Sequence, residues 1–398
     1  MYIPNYVNVL IQELDRHGYE AYVVGGAVRS ALLNQPVHDY DLTTNALPMQ
    51  MKEVFKKYHC IETGIQHGTL TVMSSHHPIE ITTYRKDSTY KDHRHPDSVA
   101  FTSALQEDCQ RRDFTINAMC YRPNEGILDF FNGKQDLEDR IIRCIGDPKK
   151  RFSEDALRIL RALRFAARLS FTIEPETARV LRALKDTLRY VSTERITEEF
   201  NGILKSTGCA SCLMDYQDVI AIFLPEILEI KDYAKVIHTL QNEHTASPEI
   251  RLALLLYPLH DTNRVHTILK RMKYANTFQT TVKDLLTYAD SDLTTPIAMR
   301  HVLSRMKVDI DTYLAFRSAL QENFDSAAAR ILYTSLVNDA YCWHLQDLAV
   351  NGKDLTSLGY KGPAVGEALH CILEAVMDEK VPNHKVQILS FLNSIHKQ

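Results

Sequence analysis

Hydrophobic and polar positions follow two different patterns along the chain. Between residue 20 and about residue 145, short runs rich in β-branched residues, such as "AYVVGG", "TLTVMSS" and "IEITTYR", are separated by turn clusters, which is typical of strands in a small α/β or α+β domain. From about residue 150 the apolar residues recur every three or four positions, as in "TERITEEFNGILKS", which predicts helices up to the C-terminal end. Breaks between these helices are expected at four prolines: Pro225, Pro248, Pro296 and Pro363.

Composition narrows the class of protein. The chain has 398 residues, of which 45% are hydrophobic, and this length suggests two to four domains. No apolar run approaches the ~20 residues needed to cross a bilayer, and "MYIPNYVNVLIQELDRHGYE" at the N-terminus has the pattern of an amphipathic helix rather than of a cleavable signal. We therefore expect a cytoplasmic protein. The lone C-x-x-C of Cys209 and Cys212 lacks the second pair that zinc requires, which predicts thiols that are buried or without a function.

The charge of the chain is distributed unevenly. The net charge is −4, but residues 140–205 carry 15 Lys and Arg against 9 Asp and Glu, a local charge of +6 that leaves −10 for the rest. A basic segment in an acidic chain is a candidate site for a phosphate-bearing ligand. A solvated helical surface explains the counts equally well.

A first motif suits phosphate and metal chemistry. In "VVGGAVRS" a strand leads through a glycine pair ending at Gly26 into a helix, where backbone N–H groups and Arg29 can hold phosphate. In "VHDYDLTT", Asp39 and Asp41 stand at alternate positions, so a strand would direct both carboxylates to one face. Like charges held together favour a cation between them, and Mg²⁺ prefers carboxylate oxygens. Alone, each stretch is compatible with a plain turn; together they indicate nucleotidyl transfer with two bound ions.

A second motif, "QRRDFTINAM", places two arginines before an aspartate. Arg112 is a candidate for a phosphate contact, and Asp113 is a candidate acceptor for a ribose hydroxyl. A surface ion-pair cluster would have the same composition.

A third motif, "RFSEDALRILRALRFAARL", is predicted to form one continuous helix. Ser153 would cap it, with Glu154 and Asp155 in the first turn. Apolar residues occupy one face, and arginines occupy the opposite face at spacings of three, three and four: Arg158, Arg161, Arg164 and Arg168. Arginines stacked in this way repel one another unless anions lie along them.

Asp155 and Arg158, three residues apart, also have the chemistry of a base-reading pair. Cytosine and adenine present an amine donor beside a ring-nitrogen acceptor, whereas uracil and guanine present a carbonyl beside an N–H. A carboxylate next to a guanidinium would therefore admit C and A and reject U and G. A helical salt bridge between the two residues, worth a few tenths of a kcal/mol, remains the alternative.

At these motifs the sequence resembles the class II tRNA nucleotidyltransferases, bacterial enzymes that add C-C-A to the 3′ end of tRNA without a nucleic-acid template. Their GG-x-V-R…D-x-D element matches residues 25–41, their R-R-D element matches 111–113, and their E-D-x-x-R element matches 154–158. The likeness is looser beyond about residue 230. It implies an α+β, polymerase-β-like nucleotidyltransferase head with a mixed sheet, followed by all-α neck, body and tail domains.

The resemblance also implies domain bounds, site residues and partners. The head would span 1–145, a base-recognising neck 146–205, a helical body 206–270 and a tRNA-binding tail 271–398. Asp39 and Asp41 would hold the catalytic Mg²⁺, with Asp113 near the ribose. The nucleotide would be bound by Gly26, Arg29, Arg112, Asp155, Arg158, Arg161 and Arg164. The partners would be CTP, ATP and the acceptor stem and elbow of tRNA, with no membrane and no obligate protein partner.

The sequence departs from the family pattern in two places. Ser30 replaces the aspartate that usually follows the first-motif arginine, which is expected to weaken the orientation of Arg29. His95 replaces the second arginine of a pair in a polar loop of about residues 83–98, although the loop keeps its length, which favours complete C-C-A addition. A poly(A) polymerase, a specialised A-adding or CC-adding enzyme, and an inactive tRNA-binding protein remain alternatives.

Overall fold

The computed structural model describes residues 1–86 and 100–395. These residues divide into two compact units, Met1–Leu228 and Glu229–Gln398. The division into four domains stays a prediction. From residue 87 onward the polar loop, including His95, lies outside the described residues.

The first unit opens with a sheet and its flanking helices. In chain order the elements are α1 (Asn5–Arg16), β1 (Ala21–Val24), α2 (Gly26–Leu32), β2 (Asp41–Thr44), α3 (Pro48–Val54), β3 (Cys60–Ile61), β4 (Thr69–Ser74), β5 (His77–Thr83), β6 (Arg85–Lys86), β7 (Ala100–Phe101), α4 (Leu105–Gln110), β8 (Cys120–Arg122), β9 (Gly126–Leu128), α5 (Gly133–Glu138) and β10 (Ile141–Ile142). Seven strands pair in the order β3-β4-β5-β2-β1-β8-β9. Only β2 and β5 are parallel within this described sheet, so the predicted mixed sheet is confirmed.

Burial explains why these runs form strands. All four residues of the central strand β1 are buried, as expected for an apolar run covered on both faces. Strand β4 instead alternates between buried and partly exposed positions, which is the period of a strand with one covered face. Strands β1, β4 and β5 correspond to the three runs from which the sheet was predicted.

Helices dominate the rest of the first unit. They are α6 (Pro148–Glu154), α7 (Leu157–Leu169), α8 (Pro175–Ala183), α9 (Thr193–Leu204), α10 (Cys209–Asp215) and α11 (Gln217–Ile220), with one short strand, β11 (Thr172–Ile173), beside β10. Cys209 and Cys212 lie buried in α10, and burial raises the pKa of the Cys212 thiol. The prediction of buried thiols is confirmed.

The prediction of one helix capped by Ser153 is wrong. The carboxylate of Asp147 accepts a hydrogen bond of 2.9 Å from the backbone N–H of Lys149, and Pro148 takes the first helical position, so α6 begins five residues before Ser153. Asp155 then leaves the helical conformation, with φ −145° and ψ 103°. Its carboxylate accepts from the N–H of Leu157 at 3.1 Å, a local bond that competes with helix continuation. Asp155 therefore stands at the junction of two helices.

The second unit is all-helical in its described part. Its helices are α12 (Tyr233–Gln241), α13 (Pro248–Leu256), α14 (Thr262–Arg271), α15 (Asn276–Thr287), α16 (Pro296–Arg305), α17 (Ile310–Leu320), α18 (Ser326–Asn338), α19 (Gly352–Ser357), α20 (Pro363–Met377) and α21 (Lys385–Ile395). Pro248, Pro296 and Pro363 each occupy the first position of a helix, where the missing N–H costs nothing. Among the helices described in either unit, none is both long and apolar enough to cross a membrane.

Candidate active site

A cavity of about 500 Å³ in the first unit gathers residues from all three motifs. Among the described residues, its lining contains eight arginines and three aspartates, a positive field suited to a polyanionic ligand. The predicted residues in the lining are Gly26, Arg29, Asp41, Arg112, Asp113, Asp155, Arg158, Arg161 and Arg164. Asp39 lies outside the lining, in the exposed segment before β2.

The glycine turn after β1 lies directly against two arginines. Gly25 has φ 67° and ψ −128°, a conformation that side chains rarely adopt. A Cβ on Gly25 would lie 3.7 Å from Nη1 of Arg112, and one on Gly26 would lie 3.6 Å from Nη2 of Arg29. Strand pairing sets Val24 opposite Asp41, so this turn, the two guanidinium groups and one carboxylate share a small volume.

Arg29 is a buried charge with few internal counter-charges. Its Nη1 donates to Oδ1 of Asn117, and its guanidinium lies 5.1 Å from the centroid of Phe165. Burial and the positive charge of Arg168 lower the pKa of Arg29 to about 10, and Asp113 opposes the shift. The Nε atom has no hydrogen-bond partner within the described part of the chain. Asn117 and Phe165 therefore hold Arg29 in this structure, and the effect of Ser30 on the orientation of Arg29 stays a prediction.

Asp108 holds both arginines of the second motif. The carboxylate is fully buried and accepts bonds from Nε and Nη2 of Arg111 at 2.9 and 2.6 Å and from Nη2 of Arg112 at 3.2 Å. The backbone N–H of Arg85 and the hydroxyl of Thr43 add two further donors, at 3.1 and 3.2 Å. Burial alone would raise the pKa of Asp108, but the two arginines lower it. Sequence reasoning missed Asp108, although its position three and four residues before Arg111 and Arg112 was a signal.

Asp113 joins the second motif to the third. Its carboxylate is buried and accepts from Nε of Arg161 at 2.8 Å, from Nδ2 of Asn117 at 3.1 Å and from the N–H of Phe114 at 2.8 Å. Burial opposes ionisation, but Arg161 and Asn117 lower the pKa of Asp113. Its contact with a ribose stays a prediction, because the bonds that the structure shows go to protein donors.

Phe165 lies among the arginines of α7, which we call the arginine row: Arg158, Arg161, Arg164 and Arg168. The guanidinium of Arg164 lies 4.5 Å from its centroid and that of Arg161 lies 5.5 Å away, in addition to Arg29. Nε of Arg164 also donates to Oε2 of Glu199 at 2.6 Å. Cation–π contacts fix arginines without neutralising them, so the row remains positive towards the cavity. The sequence analysis named neither Phe165 nor Glu199. The position of Phe165 among the arginines of "RALRF" was a signal for the first of these two residues.

The proposed base-reading residues are held by different partners. Asp155 accepts from Nη2 of Arg195 at 2.9 Å, whereas Nη1 of Arg158 donates to Oε2 of Glu154 at 2.7 Å. Arg158 also donates to the backbone carbonyls of Arg151 and Arg111, each at 3.1 Å. Because the chain bends at Asp155, the two side chains are not an i,i+3 pair on one helix, yet both line the cavity.

The carboxylates suit a divalent cation. Strand register places Asp41 beside Glu80 of the parallel strand β5. Asp41 is exposed at the start of β2, but the protein around it removes part of its hydration, and this desolvation and the charge of Glu80 raise the pKa of Asp41. Arg112 opposes the shift, and Asp39 adds to it. A cation would relieve this repulsion. Within residues 1–86 and 100–395, no three His, Cys, Asp or Glu side chains are grouped to hold a metal ion, so a divalent cation bound here would need further ligands such as phosphate or water.

A larger cavity, of about 1330 Å³, lies in the second unit. Its charged side chains carry both signs: Lys235, Asp290, Asp292, Arg317, Glu322 and Asp325. A mixed lining does not concentrate anions, so the smaller cavity of the first unit is the candidate active site.

Comparisons with known protein families agree with the motifs. Residues 21–143 match the family described as "Poly A polymerase head domain", residues 170–230 match "Probable RNA and SrmB- binding site of polymerase A", and residues 243–392 match "tRNA nucleotidyltransferase domain 2 putative". These matches follow the head and the helical remainder in order.

Relatives that match along the whole chain indicate the family more specifically than the domain matches do. The CCA-adding enzyme of Lactobacillus gasseri is 34% identical over 392 residues, covering 96% of each chain, and that of Streptococcus thermophilus is 33% identical over 403 residues, covering 97% of this chain and 96% of the relative. The crystal structure of the Bacillus stearothermophilus CCA-adding enzyme in complex with CTP superposes with a TM-score of 0.81 at 30% identity, covering 100% of this chain and 98% of that chain. The Thermotoga maritima CCA-adding enzyme complexed with tRNA shares the fold, with a TM-score of 0.66 at 21% identity and coverage of 99% and 96%. The resemblance found in the motifs is confirmed, and the chain belongs to the family of CCA-adding enzymes.

Proposed function

We propose that this chain adds C-C-A to the 3′ end of tRNA from CTP and ATP, without a nucleic-acid template and with release of pyrophosphate. The observation that carries the proposal is that Asp155 and Arg158 line the same cavity as Arg29, Arg112 and Asp41. One space therefore offers groups suited to a base edge, a triphosphate and a metal. A relative at 30% identity was solved with CTP, which supports this assignment.

The triphosphate is assigned to the arginines around the glycine turn. Arg112 lies next to Gly25 and Arg29 lies next to Gly26, where backbone can approach phosphate closely because no side chain intervenes. Charge-assisted bonds from guanidinium groups to phosphate are among the stronger hydrogen bonds in proteins. Arg161 and Arg164 extend the positive lining, and Asp113 and Glu199 fix their positions.

We assign the catalytic carboxylates to Asp39 and Asp41, and Glu80 lies beside Asp41 in the sheet. They would hold Mg²⁺, and in a two-metal arrangement such ions supply activation of the attacking 3′-hydroxyl and neutralisation of the leaving pyrophosphate. The chain itself must keep Asp41 ionised. Arg112 serves this purpose, because its charge opposes the rise in the pKa of Asp41 caused by desolvation and by Glu80.

Base choice is assigned to Asp155 and Arg158. The carboxylate accepts from the exocyclic amine of C or A, and the guanidinium donates to the adjacent ring nitrogen. The two bonds that Asp155 already accepts, from Leu157 and Arg195, use two of its roughly four lone-pair sites. Acceptor capacity therefore remains for the amine, and a carbonyl of U or G would face a negative charge.

The helical part is assigned to tRNA. We retain the head at 1–145, the neck at 146–205, the body at 206–270 and the tail at 271–398 as our proposed division. Because every tRNA is a substrate, contacts to backbone and shape should carry the binding rather than base sequence.

The test is stepwise addition to defined tRNAs. Transcripts ending at the discriminator base, at C and at CC are incubated with CTP alone, ATP alone and both. We expect two C residues from CTP alone on the first transcript, one A from ATP alone on the CC transcript, and termination after CCA. Addition of only CC, or only A, would instead assign a specialised enzyme, and no addition to any transcript would refute the proposal.

A poly(A) polymerase is the second candidate, because two matched families are described by poly(A) polymerase domains. Incubation with ATP alone and an RNA unrelated to tRNA separates the two activities. Long A tails on that RNA would establish polymerisation, whereas a single A restricted to CC-ended tRNA agrees with the proposed function.

A further inference from the structure

We propose that Arg195 is a positioning residue, which fixes the carboxylate of Asp155 in the orientation that reads the base. The inference rests on the proposed function of Asp155. Nη2 of Arg195 donates to Oδ2 of Asp155 at 2.9 Å, and both side chains are largely shielded, with 26% and 19% of their surface exposed. Both also line the nucleotide cavity.

Asp155 needs such a partner because of its place in the chain. It stands at the break between α6 and α7, with an extended backbone, so a helix does not fix its side chain. The N–H of Leu157 holds only Oδ1, at 3.1 Å. The terminal torsion of aspartate is broad and nearly two-fold, so a single bond leaves the carboxylate free to turn. The second bond, from Arg195 to Oδ2, removes that freedom.

Helix α9 supports this position rigidly. Arg195, Glu199 and Gly202 follow one another at intervals of four and three and therefore share one helix face. Glu199 accepts from Arg164 at 2.6 Å, and a Cβ on Gly202 would lie 2.2 Å from Cδ of Arg164. The same face of α9 therefore packs closely against the arginine row of α7 and carries the partner of Asp155.

A direct contact between Arg195 and the nucleotide is the rival explanation, and a double-mutant cycle separates the two. A residue that acts only through Asp155 has no further effect on base choice once Asp155 is absent, whereas a residue that contacts the nucleotide keeps its effect. The variants are Arg195→Ala, Arg195→Lys, Asp155→Ala and the double variant Arg195→Ala with Asp155→Ala.

The measurement is kcat/KM for CTP and for UTP on tRNA ending at the discriminator base. We expect Arg195→Ala to lower the CTP-to-UTP ratio by about tenfold, because a loosened carboxylate no longer rejects the carbonyl reliably. Arg195→Lys should restore part of the ratio, since it keeps the charge but loses the planar fork. In the Asp155→Ala background, adding Arg195→Ala should change the ratio by less than about twofold. As the matched control, Arg179→Ala removes an exposed arginine paired with Glu176 on α8 and should leave the ratio unchanged.

Three results would overturn the inference in distinguishable ways. If Asp155→Ala lowers the ratio and Arg195→Ala, with an unchanged urea midpoint, does not, Arg195 has no positioning role and the proposed function of Asp155 stands. If Arg195→Ala has the same effect with and without Asp155, Arg195 contacts the nucleotide. If Asp155→Ala itself leaves the ratio unchanged, the base-reading function fails and the inference fails with it.

Discussion

Asp108 offers the sharpest test of how the cavity is built. Asp108→Asn keeps the size of the side chain and one acceptor oxygen, but removes the charge that holds Arg111 and Arg112. The carboxylate is fully buried, and it also binds the backbone of Arg85 and the hydroxyl of Thr43. The change therefore affects both the stability of the first unit and the position of Arg112 beside the glycine turn.

The expected loss of folding free energy in Asp108→Asn follows from the burial of three charged groups: Asp108, Arg111 and Arg112. Removing one partner of a buried ion pair costs roughly 3–5 kcal/mol, mostly because a charge is left uncompensated. Here the arginine side chains keep 21% and 19% of their surface exposed, so water can compensate part of their charge. The remaining amide oxygen preserves one bond, worth about 0.5–1.5 kcal/mol. We therefore expect a loss near the lower limit, about 3 kcal/mol.

The assay combines urea unfolding with CTP binding in the absence of metal. The pKa of Asp108 is lowered in the folded state, so its stabilisation is present above the unfolded pKa and is lost as the pH falls through the folded pKa. The difference between wild type and Asp108→Asn should accordingly shrink on acidification below about pH 4. Glu176→Gln, which breaks an exposed pair with Arg179, is the control and should leave stability almost unchanged. The reasoning is refuted if Asp108→Asn loses less than about 1 kcal/mol and binds CTP normally.

Three further predictions address the chemistry, the base choice and the polar loop. Asp39→Ala or Asp41→Ala should abolish incorporation of both C and A, while gel shifts still show tRNA binding. Because the pKa of Asp41 is raised, acidification at limiting Mg²⁺ should reduce wild-type activity at a higher pH than the titration of an ordinary aspartate would, and added Mg²⁺ should restore the activity. Asp155→Ala should raise misincorporation of UTP and GTP relative to CTP by roughly 5–150-fold, equivalent to ~1–3 kcal/mol, whereas Arg161→Ala should lower the use of all nucleotides together. The loop of about residues 83–98 should matter for the switch to A, so deleting 87–98 should leave tRNA ending in CC; equal loss of C and A addition would show that the segment is only structural.

Local patterns predicted the strands and the residues of the cavity well. The run "AYVVGG" could be assigned because burial on both faces leaves a purely apolar signature, and the glycine pair marks the turn that the positive φ of Gly25 requires. Arg29, Arg112 and Arg161 could be named because their motifs are short and contiguous. Such signals depend only on near neighbours in sequence.

The contacts that hold these residues could not be predicted in the same way. Glu199 and Arg195 meet the third motif across 35 and 40 residues of chain, and no periodicity encodes such pairings. The break at Asp155 was missed because a side-chain bond to the next turn competes with helical hydrogen bonding, and this competition leaves the apolar pattern unchanged. Glu80 was missed because its approach to Asp41 depends on the register of two strands.

The arrangement of charges explains why the cavity needs these distant acids. Unopposed, the arginines of α7 would repel one another and Arg29, and the lowering of the pKa of Arg29 to about 10 by burial and by Arg168 shows that part of this repulsion remains. Asp113 binds Arg161, and Glu199 binds Arg164 and also lies 3.8 Å from Arg161, which fixes the guanidinium groups while the lining keeps more arginines than acids. Under the proposed function, a triphosphate would supply the missing negative charge, so the repulsion that remains among the arginines would favour its binding. Acids placed to neutralise the row completely would stabilise the fold and remove the anion site.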